Sequence, residues 1–356
     1  MRPRILAVLS FLLAALLLPP LALGKIPALS LPDFSTQPDG EDLGWIGESP
    51  SPSAAAPAEE VMLPADSPLD IPDFHILNTA TGQVETVPVR DYVRGAVAAE
   101  LPASFHIEAM KAQAVAAHTW ALHCALTQRQ NPDPALKGAD FSADPDHLKG
   151  WARAADIKAT YGNMADEYWD KITTAADSVM DYVLLYEGEP IQAVYHSCSI
   201  GVTESAEHVW QTAVPYLVPV QSEGDRLAPA AEAEVSFSSD ELRDRLTAVF
   251  DGLVLGENPA LWLSPVSYTD SGYILEIKVG NRTVTGKEVR SALDLRSASF
   301  TIAYDSGTDR FTIRTQGYGH GVGLSQYGAD YMARQGADFR KILTHYYTGV
   351  ELALLD

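Results

Sequence analysis

The sequence predicts an α+β fold, in which helices and antiparallel strands are mixed without a regular strand–helix–strand repeat. Two patterns carry this prediction. In an alanine-rich stretch from Ser104 to Leu126, apolar residues recur every three or four positions, as on one face of a helix. Residues 74–89 and 299–315 alternate between apolar and polar side chains, which is typical of strands with one buried face.

The alanine-rich helix has the clearest start signals. Pro102 lies just before it, Ser104 can cap it, and Glu108 lies in the first turn, where the helix dipole favours a negative charge. One stripe of apolar and small residues follows the helical period: Ile107, Met110, Ala114, Ala117 and Ala121. We therefore expect this helix to pack in the core.

The other elements are shorter. The strands of 74–89 turn at Thr81-Gly82. The remaining predictions are a loop over 130–146, a helix over 166–178, a hairpin over 183–195 turned at Glu187-Gly188, a helix over 238–250, strands over 268–279 and 299–315, and two short helices around Gly336.

Composition bounds the class of protein. The chain has 356 residues, 46% of them hydrophobic, which excludes a chain disordered throughout and a multi-span membrane protein. The formal net charge of −22 argues against a nucleic-acid partner, because phosphate binding needs clustered lysine and arginine. The two cysteines, Cys124 and Cys198, allow at most one disulfide, which could form in an oxidising compartment.

The N-terminal 73 residues divide into two segments. Residues 1–24 have a basic start, an apolar run and a small-x-small pattern at Ala22-Leu23-Gly24, which fits a secretory signal peptide. The apolar run is also long enough for an uncleaved membrane anchor. Residues 25–73 are acidic and rich in Pro, Ser and Ala, which predicts a solvated linker. In either case residues 74–356 form an exported domain, secreted or held at the cell membrane.

Glu100 is the first candidate for chemistry. It follows an apolar run and precedes Leu101-Pro102, so we expect it at a strand-to-helix corner. Burial there would raise the pKa of the carboxyl and suit it to general acid catalysis. The spacing fits a surface glutamate near a helix start equally well.

His196 is the second candidate, in the run Tyr195–Gly201 that follows a predicted strand. Its neighbours Ser197 and Cys198 fit a hydrolase or a metal site. A histidine held by local hydrogen bonds fits the same pattern, so both interpretations stay open.

The third candidate is the glycine-rich run Gly317–Gly328, with glycine at alternate positions. Such a run lets the backbone approach a ligand closely. No Lys or Arg accompanies it, so a sugar fits better than a phosphate. His320, Gln326 and Tyr327 offer donors, acceptors and a ring face, although a glycine-rich turn is the plainer alternative.

Together, these segments resemble the SpoIID/LytB family, which comprises enzymes of the stage II sporulation protein D type and amidase-enhancer relatives. The resemblance covers about residues 87–352 and implies a single domain with a central cleft. Its blocks are VPVRDYVRGAVAAELPASFHIEAMKAQAVAAHTWAL (87–122), AVYHSCSIGVTESAEHVW (193–210) with PYLVPVQSEGD (215–225), VRSALDLRSASFTI (289–302) and GYGHGVGLSQYGADYMARQGADFRKILTHYYTG (317–349).

The resemblance implies a lytic transglycosylase that acts on peptidoglycan glycan strands stripped of stem peptides, as in engulfment during sporulation. The family's catalytic glutamate corresponds to Glu100, which would act first as acid and then as base while a 1,6-anhydro sugar closes. No water attacks, so a second carboxylate is not required. No cofactor is implied.

The same resemblance extends to other residues and to partners. It implies Lys111 as a second catalytic group that tunes the pKa of Glu100. The implied substrate-binding residues are Gln113, His196, Ser197, Ser199, Tyr216, Asp225, His320, Gln326 and Tyr327. The implied partners are glycan strands, a cell-wall amidase and, if the leader is uncleaved, the membrane.

The chain departs from the family pattern at several positions. His118 stands where the family usually has Arg, Trp120 where it has Tyr, and Ile200 where it has Gly. Some members bind zinc through a cysteine pair, whereas Ser142 and Leu148 occupy those positions here, so we expect no zinc. A non-catalytic wall-binding amidase enhancer is therefore the competing hypothesis.

Overall fold

The computed structural model describes residues 60–64, 67–229 and 231–355. The expected leader (1–24) and the linker up to residue 59 lie outside the described residues. The described end of that linker packs on the fold: Glu60–Met62 pairs with the C-terminal strand, and Leu69 and Ile71 are buried. Packed structure therefore begins before Phe74.

Four of the described helices pack against the longest one, and others belong to a second core. The helices are α1 (Val89–Glu100), α2 (Ile107–Gln130), α3 (Ala154–Tyr161), α4 (Ala165–Asp177), α5 (Ala206–Trp210), α6 (Ser239–Val249), α7 (Gly286–Leu293), α8 (Gln326–Arg334) and α9 (Phe339–Tyr346). Capping boxes start two of them: Ser238 with Glu241 at α6, and Thr285 with Glu288 at α7.

The strands are β1 (Glu60–Met62), β2 (Asp73–Asn78), β3 (Val84–Pro88), β4 (Phe141–Ala143), β5 (Tyr182–Tyr186), β6 (Glu189–Pro190), β7 (Tyr195–His196), β8 (Glu232–Ser238), β9 (Leu263–Tyr268), β10 (Ile274–Val279), β11 (Arg282–Thr285), β12 (Ser299–Asp305), β13 (Arg310–Gln316), β14 (Leu324–Ser325) and β15 (Glu351–Leu354). Their sheet orders are β1-β15-β5-β6, β3-β2-β4, β14-β7, β11-β10-β9 and β12-β13-β8. The α+β prediction is confirmed.

The larger core is built around α2. Its many alanines are buried on most sides, because small side chains let α1, α4, α8 and α9 approach closely. Beside it, the rings of Phe74, Tyr92 and Phe141 pack edge to face at centroid distances of 5.2–5.6 Å. This core carries the predicted stripe and holds the C-terminal end of α1 in place.

A second core is formed by α6, α7 and strands β8–β13. The two cores meet at the segment after β7. Tyr318 N donates to Cys198 O at 2.7 Å, and Thr269 Oγ1 donates to the buried carboxylate of Glu204 at 2.5 Å. These contacts place the glycine-rich run against residues 195–204.

Three boundaries differ from the sequence prediction. Helix α2 is capped by the His106 ring, which accepts from Glu108 N at 3.2 Å, rather than by Ser104. The strand expected over 268–279 is interrupted by a turn in which Gly272 has φ of 94°. Finally, Tyr195 leaves the expected hairpin and pairs with β14.

Candidate active site

Glu100 is the last residue of α1, so the predicted strand-to-helix corner is a helix-to-helix corner. The following residues explain why the helix ends there. A residue before proline is pushed out of the helical region, and Leu101, before Pro102, is extended at φ −116° and ψ 136°. Leu101 is buried and its N–H still donates to Val97 O at 2.9 Å. The Leu-Pro pair thus fixes the carboxyl at a helix end.

The Glu100 carboxyl lies in a partly buried setting with few donors. Gln326 Nε2 donates to its Oε2 at 3.3 Å, and the backbone N–H of Gly150 donates as well. Burial raises the pKa of this carboxyl above its ordinary value, and the two hydrogen bonds only partly oppose that rise. Glu100 therefore retains a proton more readily than an exposed glutamate does.

Gln326 reaches Glu100 because β14 pairs in parallel with β7. The preceding glycine-rich run lies directly on the β7 segment: a Cβ on Gly319 would stand 2.7 Å from the Cβ of His196, and its φ is 116°. No side chain fits there without displacement. The alternate glycines are thus required for close backbone packing beside the site.

Asp225 joins the central segment to the glycine-rich run. It is fully buried, with Oδ2 accepting from Ser199 N at 2.7 Å and Oδ1 accepting from Ser325 Oγ at 2.5 Å. Ser325 in turn caps α8 through Gly328 N at 3.2 Å. Asp225 and Ser199 are thus buried in the link that precedes Gln326. Their implied role in substrate binding stays a prediction.

Two histidines lie side by side beneath the run. The rings of His196 and His320 are 5.7 Å apart, and Trp210 lies 5.2 Å from His320. Burial is the main cause that lowers the pKa of His320 to about 3, and the positive charges of Arg290 and Lys287 lower it further. Burial also lowers the pKa of His196, so both rings are neutral at physiological pH.

Lys111 and Gln113 differ in what they contact on α2. Lys111 Nζ pairs with Glu108 at 2.7 Å, and the other Glu108 oxygen accepts from Phe339 N at 3.0 Å, which ties α2 to α9. Lys111 is not among the groups that shift the pKa of Glu100. Gln113 is buried, and within the described residues both of its amide atoms lack a hydrogen-bond partner.

The remaining predicted residues fall into two places. Ser197 and Tyr327 lie beside the glycine-rich run, where Tyr327 N donates to Ser197 O at 3.1 Å. Tyr216 lies elsewhere: its hydroxyl accepts from Gln192 N at 2.9 Å, and its ring lines a pocket of about 350 Å³ with His123 and others. One region therefore contains most of these residues: Glu100, Gln326, Tyr327, Ser197, His196 and His320. Tyr216 is not part of that set of contacts.

Sequence reasoning missed some residues at this site. Gly150 lies on a loop far from Glu100 in sequence, and no local pattern marks its N–H as a donor. Tyr195 begins the histidine-containing run Tyr195–Gly201, but the sequence suggested no role for it. Burial raises the pKa of Tyr195, and the charge of Glu100 adds to that rise. Trp210 closed the central block and contacts His320. An aromatic residue beside a histidine motif was the available signal.

Metal and thiol chemistry have little support in the described ranges. Across 60–64, 67–229 and 231–355, no three His, Cys, Asp or Glu side chains form a group that could hold a metal ion, and the expected lack of zinc stays a prediction. Cys124 and Cys198 are free thiols, so the pairing that the sequence allowed is not formed.

Among these same described residues, no helix is long and apolar enough to cross a bilayer.

Comparisons with known proteins agree with the motif order. Residues 78–186 match the model of the SpoIID family, described as stage II sporulation protein. Stage II sporulation protein D of Bacillus subtilis (strain 168) is 34% identical over 295 residues, covering 82% of this chain and 80% of that protein. The protein of the same name from Bacillus amyloliquefaciens is 35% identical over 292 residues, with the same coverage.

A more distant relative carries a different name. The amidase enhancer of Bacillus subtilis (strain 168) is 26% identical over 319 residues, covering 73% of this chain and 40% of that protein. The sporulation relatives match at higher identity and over most of their own length. On this similarity, the chain belongs to the SpoIID family.

Proposed function

We propose that this protein is a peptidoglycan lytic transglycosylase that cleaves the bond between N-acetylmuramic acid and N-acetylglucosamine in peptide-stripped glycan strands. One observation carries the proposal: the Glu100 carboxyl at the end of α1 is partly buried, has a raised pKa, and accepts from Gln326 of the glycine-rich run. A carboxyl with a raised pKa keeps its proton more readily, which suits it to protonate a leaving oxygen.

The reaction needs one carboxyl in two steps. Protonated Glu100 donates to the glycosidic oxygen as the C1–O bond breaks, and the N-acetylglucosamine side leaves with a new hydroxyl. The Glu100 carboxylate then accepts the proton of the muramyl C6 hydroxyl while O6 bonds to C1. The product is a 1,6-anhydromuramyl end, no water is consumed, and Glu100 finishes protonated.

The electrostatics around Glu100 favour this single-carboxyl scheme. Hydrolytic glycosidases use a second Asp or Glu, either to activate water or to attack C1. The groups that shift the pKa of Glu100 are burial, Gln326 and the backbone of Gly150, with no other carboxylate among them. Gln326 can hydrogen-bond to Glu100 in both protonation states, because its amide NH₂ group can donate to the carboxylate and its amide oxygen can accept from the carboxyl O–H.

The other residues beside the run have supporting roles in this proposal. Tyr327 would offer a ring face and His320 a polar edge to a sugar. Ser197, in the central segment, accepts from Tyr327 N through its backbone oxygen. Lys111 would act indirectly. It pairs with Glu108 in the first turn of α2, and Glu108 in turn accepts from Phe339 N at the start of α9. We further propose a central cleft along this region as the strand-binding surface.

The biological setting follows from the relatives. Proteins named stage II sporulation protein D match over most of their length, so we place the activity in wall remodelling during sporulation. The exported location rests on the signal-like residues 1–24, with secretion and membrane attachment both compatible.

An amidase enhancer is the second candidate, because a relative of that name aligns with 73% of this chain. Such a protein would bind the wall and stimulate an amidase without cutting glycan strands. Glu100 would then have no chemical step, and its replacement would leave stimulation intact.

The test is product analysis with a matched pair of variants. The purified chain is incubated with peptide-free glycan strands, and the products are identified by mass spectrometry. We expect anhydromuramyl ends from the wild type and from Glu257→Gln, an exposed glutamate of the second core, and none from Glu100→Gln. Reducing ends would refute the anhydro mechanism. Binding without cleavage, together with stimulation of an amidase, would support the enhancer.

A further inference from the structure

Two cations of the second core face the candidate site. Lys287 and Arg290 lie three residues apart on α7, so they share one side of that helix. Lys287 Nζ donates to Val209 O at 3.2 Å, next to Trp210, and Arg290 Nε donates to Leu295 O at 3.2 Å. These two residues are called the α7 basic pair below.

Within the described parts of the chain, the α7 basic pair makes no direct ion pair with a carboxylate, although the charge of Glu288 acts on Lys287 and that of Asp294 acts on Arg290. Glu288 lies between the two cations in sequence, but its carboxylate accepts from Thr285 N at 2.7 Å and Thr285 Oγ1 at 2.8 Å in the capping box. In a protein with 47 acidic and 25 basic residues, two adjacent cations that make no direct ion pair favour an anionic ligand.

The surroundings of the pair are aromatic and incompletely hydrogen-bonded. The charges of both members act on His320, whose ring packs against Trp210. Among the described residues, the buried Nε2 of His196 lacks a hydrogen-bond partner. The hydroxyl of Tyr273 lies beside the glycine-rich run, 2.6 Å from where a Cβ on Gly321 would stand. Unpaired buried polar atoms are rare and suit a bound ligand or water.

Tyr318 adds an exposed ring at the same edge. Its side chain is 45% exposed, and the Arg296 guanidinium lies 5.2 Å from the ring centroid. The backbone of Arg296 also holds the glycine-rich run, because Gly319 N donates to Arg296 O at 3.0 Å. A flat apolar face beside cations matches a sugar ring that carries one negative group.

We infer that the α7 basic pair, with Trp210 and Tyr318, binds the free carboxylate of a muramyl residue in the glycan strand. This inference rests on the proposed function. Peptide-free N-acetylmuramic acid exposes a lactyl carboxylate, whereas the stem peptide converts that group to an amide and N-acetylglucosamine lacks it. Arg290 offers a planar fork that suits a carboxylate, and Lys287 offers a mobile point charge.

The experiment compares two ligands that differ only in charge. Binding of the Glu100→Gln chain, which would not cut the ligand, is measured with peptide-free glycan oligosaccharides and with the same oligosaccharides after carbodiimide amidation of the lactyl carboxylate. We expect about tenfold weaker binding of the amidated ligand, and a difference that shrinks as salt is raised. Equal binding of the two ligands would overturn the inference.

Variants assign the effect to the pair. Lys287→Gln and Arg290→Gln should weaken binding of the free-acid ligand by several-fold and leave the amidated ligand nearly unchanged. Lys278→Gln and Arg282→Gln, exposed cations of the same core, should change neither. Because Lys287 is exposed, its variant keeps the test decisive even if Arg290→Gln fails to fold. Equal weakening of both ligands by the pair variants would refute the assignment.

Two further arms separate the alternatives. Glycerol phosphate polymer tests a wall phosphate as the anion: tighter pair-dependent binding of that polymer than of glycan would overturn the carboxylate assignment. Cleavage by the wild type is scored separately. Strands that are cut with no preference for the free acid refute this inference alone, whereas preferential binding without cleavage supports it and refutes the transglycosylase.

Discussion

Replacing Asp225 tests whether one buried carboxylate holds the site together. Its two oxygens accept from Ser199 N at 2.7 Å and Ser325 Oγ at 2.5 Å, and it is fully buried. Asp225→Ala removes both acceptors and leaves buried donors unpaired. Asp225→Asn keeps the shape: its oxygen can accept from Ser199 N, and its NH₂ group can donate to Ser325 Oγ.

The magnitudes of the two variants should therefore differ. A hydrogen bond to a charged group contributes about 1.5–3 kcal/mol, so Asp225→Ala should lower the free energy of unfolding by about 3–6 kcal/mol. Neutral hydrogen bonds contribute about 0.5–1.5 kcal/mol each, so Asp225→Asn keeps about 1–3 kcal/mol of that stabilisation and should cost about 2–3 kcal/mol. The order, alanine well below asparagine and asparagine below wild type, is the specific expectation.

Urea unfolding followed by tryptophan fluorescence and circular dichroism measures both changes. Asp251→Ala serves as a control, because Asp251 is exposed in the loop after α6, and it should shift stability by less than about 0.5 kcal/mol. If Asp225→Ala were as stable as the control, the carboxylate would not link the central segment to the glycine-rich run, and our account of how Gln326 is positioned would be wrong.

Three further predictions use the same unfolding or labelling assays. Because folding raises the pKa of Glu100, its stabilising contribution is complete below the unfolded-state pKa and is lost as pH rises through the folded-state pKa; Glu100→Gln should match wild type at about pH 4 and exceed it at about pH 8, and equal stability at both would contradict the shift. Gly319→Ala, with φ of 116° and a Cβ 2.7 Å from His196, should destabilise by about 2–5 kcal/mol, and a neutral result would refute the packing argument. Burial raises the pKa of Cys124 to about 12 and of Cys198 to about 11, so a thiol reagent should label both only after unfolding, and fast native labelling would contradict their burial.

The sequence predicted the α+β class and the long helix because those signals are local. Helix α1 was missed for a local reason too. Val89, Val93 and Val97 are β-branched and favour a strand by composition. Their four-residue spacing, completed by buried Tyr92 and Ala96, is helical, and the buried face confirms it. For α1, the spacing of the apolar residues therefore predicts the secondary structure better than their residue type does.

The contacts of the site were predictable only in part. Of the three motifs that the sequence indicates, two meet where β7 pairs with β14. What a side chain does after folding depends on partners distant in sequence. The resemblance implies a substrate-binding role for Asp225. In the structure Asp225 is fully buried and accepts from Ser199 and Ser325, which lie 26 and 100 residues away. No local pattern separates such a buried acceptor from a ligand-facing carboxylate.

The chemistry of Glu100 depends on a local helix stop in the sequence and on packing by elements distant in sequence. Pro102 ends α1 at this residue, which is a local effect that the sequence displays. The raised pKa, by contrast, comes from burial by distant elements, and only Gln326 and Gly150 donate to the carboxyl. More hydrogen-bond donors would stabilise the carboxylate and lower the pKa of Glu100, so that it could no longer act as an acid. Exposure to water would also remove the burial that raises this pKa. A single carboxyl can therefore serve as both acid and base only where it is buried and few hydrogen-bond donors reach it.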